Sequence, residues 1–392
     1  MVREAAITIY LLVFRTLFSI FLLCPQKKKT TFVASFGDNV LFALHALEKQ
    51  TAHPVVILKT SQCKVDFEDR PDRLVLDFEP RNLMAWVRSV YHLATSTHIF
   101  VDNYFGFLAA APFRRNVTCI QLWHAAGAIK QFGLKDPSIA GRSPRALKRF
   151  KKVYGQFTHV VVGSEKMADI FCESFGIDDN RILRTGIPRT DFFFNETAMQ
   201  KAADSIRMNF PEIRGKQVIL YAPTYRDDEL HVSRLELDLE LMYKELKEDY
   251  VLLLRLHPAV RVDFANTYPD FVFDVSEYPD VQQLLVVTDI LITDYSSIPF
   301  EYSLLQKPMI FFAYDLEKYA ESRGFWEPYE GLVPGPIVKH TAEIVKVIQN
   351  GDYDYNRIRG FADEWNEYSG GHSSERLIGV LYGQEKRTAQ SF

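Results

Sequence analysis

Two histidines of this sequence stand where a reactive imidazole is expected, directly after runs of apolar residues that are typical of buried strands. His124 follows the run VTCIQLW, and the small residues after it would let backbone N–H groups approach a phosphate. Lys130 adds a positive charge to the same segment. A neutral imidazole there could take a proton from an attacking hydroxyl group, which contributes about 10²–10⁴-fold to a rate. Alternatively His124 only caps the next helix, and His257, which precedes a proline, is structural.

Cationic, hydroxyl and carboxylate side chains follow other apolar runs. Arg189 lies in the loop RTGIPRTD, where a guanidinium could bind a phosphate through two hydrogen bonds or could pair with Asp191. The segments YAPTYRDD and RLHPAVR add further hydroxyl and cationic groups. The segment ITDYSSIPFEY, residues 292–302, ends a strand and begins a helix at two serines, which would favour an anion or simply cap that helix.

Several common catalytic motifs are absent from the sequence. It contains no GxGxxG, Walker A, G-x-S-x-G or HExxH pattern. The sequence therefore lacks the strongest indication of a dinucleotide, P-loop, serine hydrolase or zincin site of the usual kind. The four cysteines lie far apart without a CxxC pair, and we interpret them as reduced thiols of a cytosolic protein. No carboxylate-rich cage is evident, so we predict neither a metal site nor a cofactor.

The candidate residues follow strand-like runs that alternate with helix-like segments. A first series of runs extends from TFVASF to RILRTG, and a second series extends from QVILYAPT to GLVPGPIV. Such alternation predicts βαβ units and a parallel sheet in each half of the chain. Because ligands of open parallel sheets bind beyond the carboxyl ends of the strands, these ends are where we expect the chemistry.

Length and charge limit the possible architectures and partners. A chain of 392 residues argues for two domains, which we expect to join within 207–216. We assign residues 31–210 to an N-terminal domain and residues 211–392 to a C-terminal domain, with a last helix that could return to the first domain. The net charge of −4 argues against a binder of duplex nucleic acid, which would carry a strongly basic domain.

Residues 5–23 form an apolar segment that is long enough to span a bilayer. A signal peptide would need a small-residue cleavage site, whereas Lys27, Lys28 and Lys29 follow here. A spanning helix would place Arg15 near the midplane, at about 2.5–3.5 kcal/mol on insertion scales. We favour a helix that lies in the membrane interface, with the three lysines at anionic headgroups. The alternative is a helix packed on the protein. In either case the predicted apolar face of the helix consists of Ile7, Leu11, Phe14, Phe18, Phe21 and Leu22.

A basic run occupies residues 142–152, RSPRALKRFKK. Charge runs are usually solvated faces. Beside a membrane-associated helix, this one could instead contact lipid phosphates. The sequence therefore predicts a peripheral protein on the cytoplasmic face of the cell membrane, and residues 1–30 are assigned to this membrane-associating helix and its basic segment.

Six motifs in order resemble the CDP-glycerol glycerophosphotransferase family of wall teichoic acid synthesis. They are W-H-x-x-G-x-x-K-x-x-G, G-x-P-R-x-D, Y-A-P-T-Y-R, R-x-H-P, T-D-Y-S-S-x-x-F-E-Y and K-P-x-I-F-F-x-Y-D, followed by G-x-x-P-G-P. They cover about residues 100–340. The resemblance implies a GT-B-like α/β fold, in which two Rossmann-like domains with parallel sheets face each other across a cleft, with an N-terminal apolar helix in addition. It also implies that the N-terminal domain carries the catalytic base and the acceptor, and that the C-terminal domain binds CDP-glycerol.

The resemblance also implies roles for individual residues. His124 would be the general base and His257 a second catalytic residue that faces the diphosphate of CDP-glycerol. The residues implied to bind substrate are Gly127, Lys130, Arg189, Pro223, Thr224, Arg226, Pro258, Arg261, Asp294, Ser296, Ser297 and Glu301. An acceptor hydroxyl deprotonated by His124 would attack the glycerol-bearing phosphorus, and CMP would leave.

Within this family the short length and apolar N-terminus are more similar to the primases than to the long polymerases. A primase transfers glycerol phosphate to undecaprenyl-diphosphate-linked ManNAc-GlcNAc. The alternatives are a transferase that adds the second glycerol phosphate and a GT-B nucleotide-sugar glycosyltransferase. A non-enzymatic scaffold is disfavoured because imidazoles and cations recur at successive strand ends. The expected partners are CDP-glycerol, the lipid-linked disaccharide, a membrane surface and a possible second copy of the chain.

Overall fold

The computed structural model describes residues 2–224, 226, 235–256 and 267–389. The chain forms two compact units. The first contains residues 1–125, 132–191 and 367–392, and the second contains residues 126–131 and 192–366. The segment 207–216, where we expected the join, lies inside the second unit, and the last helix lies in the first.

The first unit is built on a parallel seven-stranded sheet. Its strands are β1 (Thr30–Ala34), β2 (Val55–Lys59), β3 (Arg73–Asp77), β4 (His98–Val101), β5 (Thr118–Gln121), β6 (His159–Val161) and β7 (Ile182–Leu183). They lie in the order β3-β2-β1-β4-β5-β6-β7. The helices of this unit are α1 (Val2–Phe21), α2 (Asp38–Gln50), α3 (Leu83–Thr95), α4 (Pro144–Gly155), α5 (Glu165–Phe175) and the last helix, α14 (Ser373–Ala389).

The second unit is built on a parallel six-stranded sheet. Its strands are β8 (Gln217–Ala222), β9 (Tyr250–Leu254), β10 (Val272–Asp274), β11 (Ile290–Thr293), β12 (Met309–Phe312) and β13 (Ile337–Val338). The order β10-β9-β8-β11-β12-β13 is that of the Rossmann fold. The helices are α6 (Glu196–Asn209), α7 (Leu239–Leu246), α8 (Val281–Val287), α9 (Ile298–Tyr302), α10 (Leu316–Arg323), α11 (Tyr329–Leu332), α12 (Thr341–Asn350) and α13 (Tyr355–Trp365).

The strands form where the sequence has continuous apolar runs. All five residues of β1 and all four of β11 and β12 are buried. Continuous burial is typical of parallel strands covered by helices on both faces. The predicted α/β class with two parallel sheets is therefore confirmed.

Strand pairing brings distant loops to the same edge of each sheet. In the first unit Val33 pairs with Val101, and Val101 pairs with Gln121. The loops after β1, β4 and β5 therefore open side by side. In the second unit Ala222 pairs with Thr293, so the loops after β8 and β11 are neighbours. These two edges hold most of the predicted site residues.

Helix α1 packs one face on the first unit and exposes the other. Phe14 and Phe18 are fully buried, and the Phe14 ring lies 5.2 Å from Phe107 and 6.0 Å from Trp86. We expected these two phenylalanines to face the membrane, and that part of the prediction is wrong because Trp86 and Phe107 pack on Phe14 and Phe113 packs on Phe18. By length and composition alone the helix could cross a bilayer. Its exposed large apolar side chains are Ile9, Leu12, Val13 and Ile20, and the exposed Leu23 follows the helix.

The three lysines after α1 do not share one environment. Lys27 and Lys28 are exposed, whereas Lys29 is buried. The Lys29 Nζ lies 2.9 Å from His92 Nδ1 and 2.8 Å from Thr95 Oγ1. Burial lowers the pKa of Lys29 to about 8. The prediction of a headgroup contact is therefore wrong for Lys29.

The basic run forms α4, which exposes positive charge close to α1. Ser143 caps its first turn by accepting a hydrogen bond from the Ala146 N–H. Arg145, Lys148 and Lys152 are exposed at intervals of about one helical turn. Arg149 instead turns to α1 and pairs with Glu4 at 3.2 Å.

Candidate active site

His124 lies half-buried between two aromatic rings beyond the carboxyl end of β5. Its ring centroid lies 4.2 Å from Phe36, at an interplanar angle of 13°, and 4.4 Å from Trp123. The His124 Nδ1 lies 3.3 Å from the Asp102 carbonyl oxygen. Because a carbonyl oxygen only accepts, this contact places the proton on Nδ1 and leaves Nε2 as the acceptor.

The surroundings of His124 keep its imidazole neutral. Burial, and next the positive charge of Arg189, lower the pKa of His124 to about 4, while the hydrogen bond to the Asp102 carbonyl opposes this shift. At neutral pH the ring is therefore unprotonated. A neutral imidazole with Nε2 available has the protonation state that a general base needs.

Asp102 fixes the loop that carries Phe36. Its carboxylate accepts hydrogen bonds from the backbone N–H groups of Ser35, Phe36 and Gly37 at 2.8–3.1 Å. Burial raises the pKa of Asp102 to about 6, and these hydrogen bonds oppose the rise. Gly37 has a φ of 97°, and an added Cβ would lie 2.8 Å from Cys63 Sγ, so the loop needs glycine there.

Arg189 is nearly buried in the same unit as His124. Its guanidinium lies 3.6 Å from the Asp38 carboxylate at the start of α2. Asp191, which we considered as its partner, accepts hydrogen bonds from the Ser373 and Ser374 N–H groups instead. The structure therefore brings His124 and Arg189 together, whereas Asp191 holds the start of α14.

Gly127 and Lys130 belong to the second unit, although they follow His124 closely in sequence. An added Cβ on Gly127 would lie 2.3–2.6 Å from three ring atoms of Phe300. Lys130 forms a β-bridge with Phe325, and its Nζ lies 5.9 Å from the Tyr319 ring centroid. The motif that reads as one loop in the sequence therefore contributes to both units.

Thr224 and Arg226 lie beyond β8, next to the end of β11. The Thr224 N–H donates to Asp294 Oδ1 at 2.8 Å. Arg226 is buried, with ion pairs of 3.0 Å to Asp294 and 2.8 Å to Asp315. Burial raises the pKa of Asp294, and the charge of Arg226 opposes the rise. Asp294 and Asp315 therefore neutralise the positive charge of Arg226 inside the protein.

Aromatic rings surround the Arg226 guanidinium on several sides. Its Cζ lies 4.7–5.4 Å from the ring centroids of Tyr295, Tyr314 and Tyr319. Tyr295 also donates a hydrogen bond to Asp315 at 3.0 Å. Arg226 is thus the centre of a structural cluster that supports the loops at the ends of β8 and β11. Pro223 is half-buried in the first of these loops.

The serines after β11 are partly exposed, whereas the glutamate of the same motif is buried. Ser296 Oγ accepts a hydrogen bond from the Ile298 N–H, and Ser297 precedes α9 without capping it through its side chain. Glu301 is 2% exposed, and the Gln282 Nε2 lies 3.5 Å from its carboxylate. Of this motif, the serines are therefore the more accessible candidates for contact with a ligand.

Three predicted residues, His257, Pro258 and Arg261, lie outside the described residues, and their roles stay predictions. The neighbouring Arg255 is described, and its guanidinium donates to the carbonyl oxygens of Val275 and Tyr278. Within the described ranges no group of three His, Cys, Asp or Glu side chains is placed to hold a metal ion.

Reasoning from the sequence missed several residues that shape the candidate site. Phe36 and Asn39 follow β1, Asp102 follows β4, and Asp315 follows β12. The strand-end rule that selected His124 applies equally to the segments SFGDN and VDNY, so this signal could have found the first three. Only the pairing with Arg226 distinguishes Asp315 from other loop carboxylates.

Comparison with known proteins gives consistent matches over nearly the whole chain. A match to the family described as CDP-Glycerol:Poly(glycerophosphate) glycerophosphotransferase covers residues 17–382. The teichoic acid glycerol-phosphate primase of Bacillus subtilis (strain 168) is 38% identical over 357 residues, which cover 91% of this chain and 92% of that protein.

Solved structures extend the likeness to the fold. The structure of the wall teichoic acid polymerase TagF is 25% identical with a TM-score of 0.82, and the likeness covers 99% of each chain. A variant of that polymerase soaked with CDPG is 26% identical with a TM-score of 0.81, again over 99% of each chain. The predicted GT-B-like fold class is therefore confirmed. The chain belongs to the CDP-glycerol:poly(glycerophosphate) glycerophosphotransferase family.

Proposed function

We propose that this protein is a teichoic acid glycerol-phosphate primase, which transfers glycerol phosphate from CDP-glycerol to a lipid-linked disaccharide. The observation that carries the proposal is the neutral His124 imidazole, whose Nε2 is left as an acceptor by the Nδ1 contact with Asp102. Family membership supports the donor. The name of the Bacillus subtilis relative, which aligns over 91% of this chain and 92% of that protein, supports the priming step.

The reaction joins an acceptor oxygen to the glycerol-bearing phosphorus of CDP-glycerol. His124 Nε2 accepts the proton of an acceptor sugar hydroxyl as that oxygen forms its bond to phosphorus. The phosphorus–oxygen bond to the cytidine phosphate breaks, and CMP leaves with the electron pair. Positioning and charge stabilisation dominate catalysis of such transfers. Arg189 would stabilise the charge on the transferred phosphate.

We propose that the second unit binds the CDP-glycerol donor beyond β8 and β11. Ser296 and Ser297 supply partly exposed hydroxyl groups at this edge, whereas the Thr224 hydroxyl is buried in the loop after β8. Arg226 supports these loops rather than the ligand, since Asp294 and Asp315 already pair with it. Gly127 and Lys130 would complete the site through the segment 126–131. The predicted contacts of His257 and Arg261 with the diphosphate remain part of this proposal.

Removal of the proposed base tests the chemistry. His124→Asn keeps a hydrogen-bonding side chain of similar reach but cannot accept a proton at neutral pH. We expect transfer to fall by about 10²–10⁴-fold, while binding of CDP-glycerol persists in calorimetric titration. A folded His124→Asn protein with wild-type transfer would show that another group removes the proton.

Product analysis separates the primase from the two alternative enzymes. The protein is incubated with CDP-glycerol and either the unprimed disaccharide lipid or the lipid that already carries one glycerol phosphate. A primase elongates the first lipid and releases CMP. Elongation of the second lipid alone would identify a second-step transferase. Release of a nucleoside diphosphate from a UDP- or GDP-sugar would indicate a glycosyltransferase.

We further propose that the first unit associates with the cytoplasmic face of the membrane through the exposed side of α1. Ile9 is 62% and Leu12 is 64% exposed, and burial of such side chains in lipid is favourable. Leu12→Glu should lower retention on liposomes and leave the unfolding midpoint unchanged, because this side chain does not pack on the protein. Unchanged retention would exclude α1 as the contact surface.

A further inference from the structure

Asn39 is a buried amide whose donor and acceptor both bind main-chain atoms of the candidate site. It lies in the first turn of α2, with 2% of its surface exposed. Its Nδ2 donates to the Trp123 carbonyl oxygen at 3.0 Å, and its Oδ1 accepts from the Arg189 N–H at 3.0 Å. One side chain thus joins the residue before the proposed base to the proposed phosphate-binding arginine, although 84 and 150 residues separate Asn39 from them.

The turn at Trp123 needs such support. Trp123 has a φ of 59°, which lies in the left-handed region that bulky residues rarely adopt. Its N–H donates to Gln121 Oε1 at 2.8 Å, while its carbonyl accepts from Asn39. Strained backbone of this kind persists only where the surroundings hold it, and it concentrates at functional sites. Here the strained residue directly precedes His124 and stacks on its ring.

We propose that Asn39 is a positioning residue, which holds the His124 turn and the Arg189 loop in one fixed arrangement during glycerol phosphate transfer. It contacts neither the substrate nor the reacting atoms and acts through Trp123 and Arg189. The inference rests on the proposed function, because it concerns the same site.

An amide side chain suits this position chemically. The two main-chain partners are a carbonyl oxygen and an N–H group, so the side chain must donate on one side and accept on the other. Aspartate is almost isosteric with asparagine but has no donor when ionised. It would keep the contact with Arg189 and set a carboxylate against the Trp123 carbonyl. Alanine would lose both contacts.

These differences give a test that separates the two sides of the contact. For Asn39→Asp we expect kcat to fall by about 10²-fold, the effect of misplacing a reacting group by about 1 Å. Its KM for CDP-glycerol should stay near the wild-type value, because the Arg189 side is kept. For Asn39→Ala we expect the same fall in kcat and also a raised KM for CDP-glycerol.

Asn366→Asp is the matched control for a purely structural effect. Asn366 is also a buried amide, but it belongs to the second unit, where its Nδ2 donates to the Phe300 carbonyl at 2.8 Å. We expect Asn366→Asp to lower the melting temperature but to keep kcat below that temperature.

If Asn39→Asp does not fold, Asn39→Ser replaces it, because serine is too short to reach both partners.

The outcomes distinguish failure of this inference from failure of the proposed function. His124→Asn is assayed beside the Asn39 variants. If His124→Asn is inactive while folded Asn39→Asp or Asn39→Ser keeps the kcat of wild type or of Asn366→Asp, the positioning role is overturned and the proposed function stands. If His124→Asn retains transfer, the proposed function itself fails.

Discussion

At the scale of single residues, the protonation of His124 depends on what touches its ring. Phe36 and Trp123 stack on the imidazole, and Arg189 adds a positive charge nearby. These contacts lower the pKa of His124 to about 4, whereas the pKa of an exposed histidine is about 6.5. The proposed base is therefore ready to accept a proton over the whole neutral range.

Phe36→Ala should shift the acid limb of the pH profile of kcat/KM to higher pH. Removal of the ring lets water reach His124, so its pKa rises from about 4 towards its ordinary value. Since only the neutral ring accepts a proton, activity then begins to fall at a higher pH. Steady-state rates between pH 4 and 8 measure this shift.

Phe194→Ala is the control for this experiment, because Phe194 is exposed to a similar extent, 46% against 43% for Phe36, but does not stack on His124. Its acid limb should coincide with that of the wild type. An unshifted limb in Phe36→Ala would mean that stacking does not set the pKa of the base.

Arg226 and Arg184 allow a matched comparison of buried and exposed ion pairs. Arg226→Met leaves Asp294 buried without its counter-ion, so we expect a loss of about 3–5 kcal/mol in the free energy of unfolding. Arg184 pairs with Glu165 and Asp179 at the surface, and Arg184→Met should cost about 0–1 kcal/mol. Urea titration measures both. Equal losses would contradict the structural role that we assign to Arg226.

At the scale of elements, the segment 126–131 is a short stretch of chain with its own anchors in the second unit. The Gln131 N–H donates to the Gly324 carbonyl, and the Trp326 indole donates to the Lys130 carbonyl. Gly127 lies against the Phe300 ring. Because only Ala125 separates His124, in the first unit, from this segment, the motif covalently connects the proposed base to the proposed donor unit.

Gly127→Ala should destabilise the protein and reduce transfer. The added Cβ would lie 2.3–2.6 Å from the Phe300 ring, and such overpacking costs about 1–3 kcal/mol. Gly106→Ala is the control, since a Cβ there meets nothing within 4 Å. Thermal unfolding and transfer rates are compared for both variants. If the two variants behave alike, the close approach to Phe300 has no consequence.

At the scale of the whole molecule, the net charge is −4, but the charged residues are unevenly distributed over the protein. Helix α4 exposes Arg145, Lys148 and Lys152 on the same unit whose α1 exposes apolar side chains. An anionic membrane attracts such residues by about 1 kcal/mol for each charge near the surface. The first unit thus combines the two features that stabilise peripheral binding.

The double variant Lys148→Glu and Lys152→Glu should weaken binding to anionic vesicles and leave binding to neutral vesicles unchanged. The difference should disappear at high salt, because salt screens exposed charges. Leu12→Glu, by contrast, should weaken binding to both kinds of vesicle. Cosedimentation measures all three proteins. Equal binding of the double variant and the wild type to anionic vesicles would exclude α4 from the contact.

Elements and their order were predictable because strands and helices leave local patterns. The runs TFVASF and PVVILK became β1 and β2, and the predicted alternation produced two parallel sheets. The face of α1 was predicted less well. Helical periodicity identifies which residues share a face, but it does not say whether protein or lipid covers Phe14 and Phe18.

The sequence by itself determined the α/β class, the strand-end position of the candidate residues and, through six ordered motifs, the family. Only the tertiary structure decided that Phe36 and Asp102 contact His124 and that Asn39 joins the His124 turn to Arg189. It also decided that buried carboxylates pair with Arg226. The physical reason is that these contacts join segments far apart in the chain. Strand order and register, which no local pattern encodes, bring such segments together.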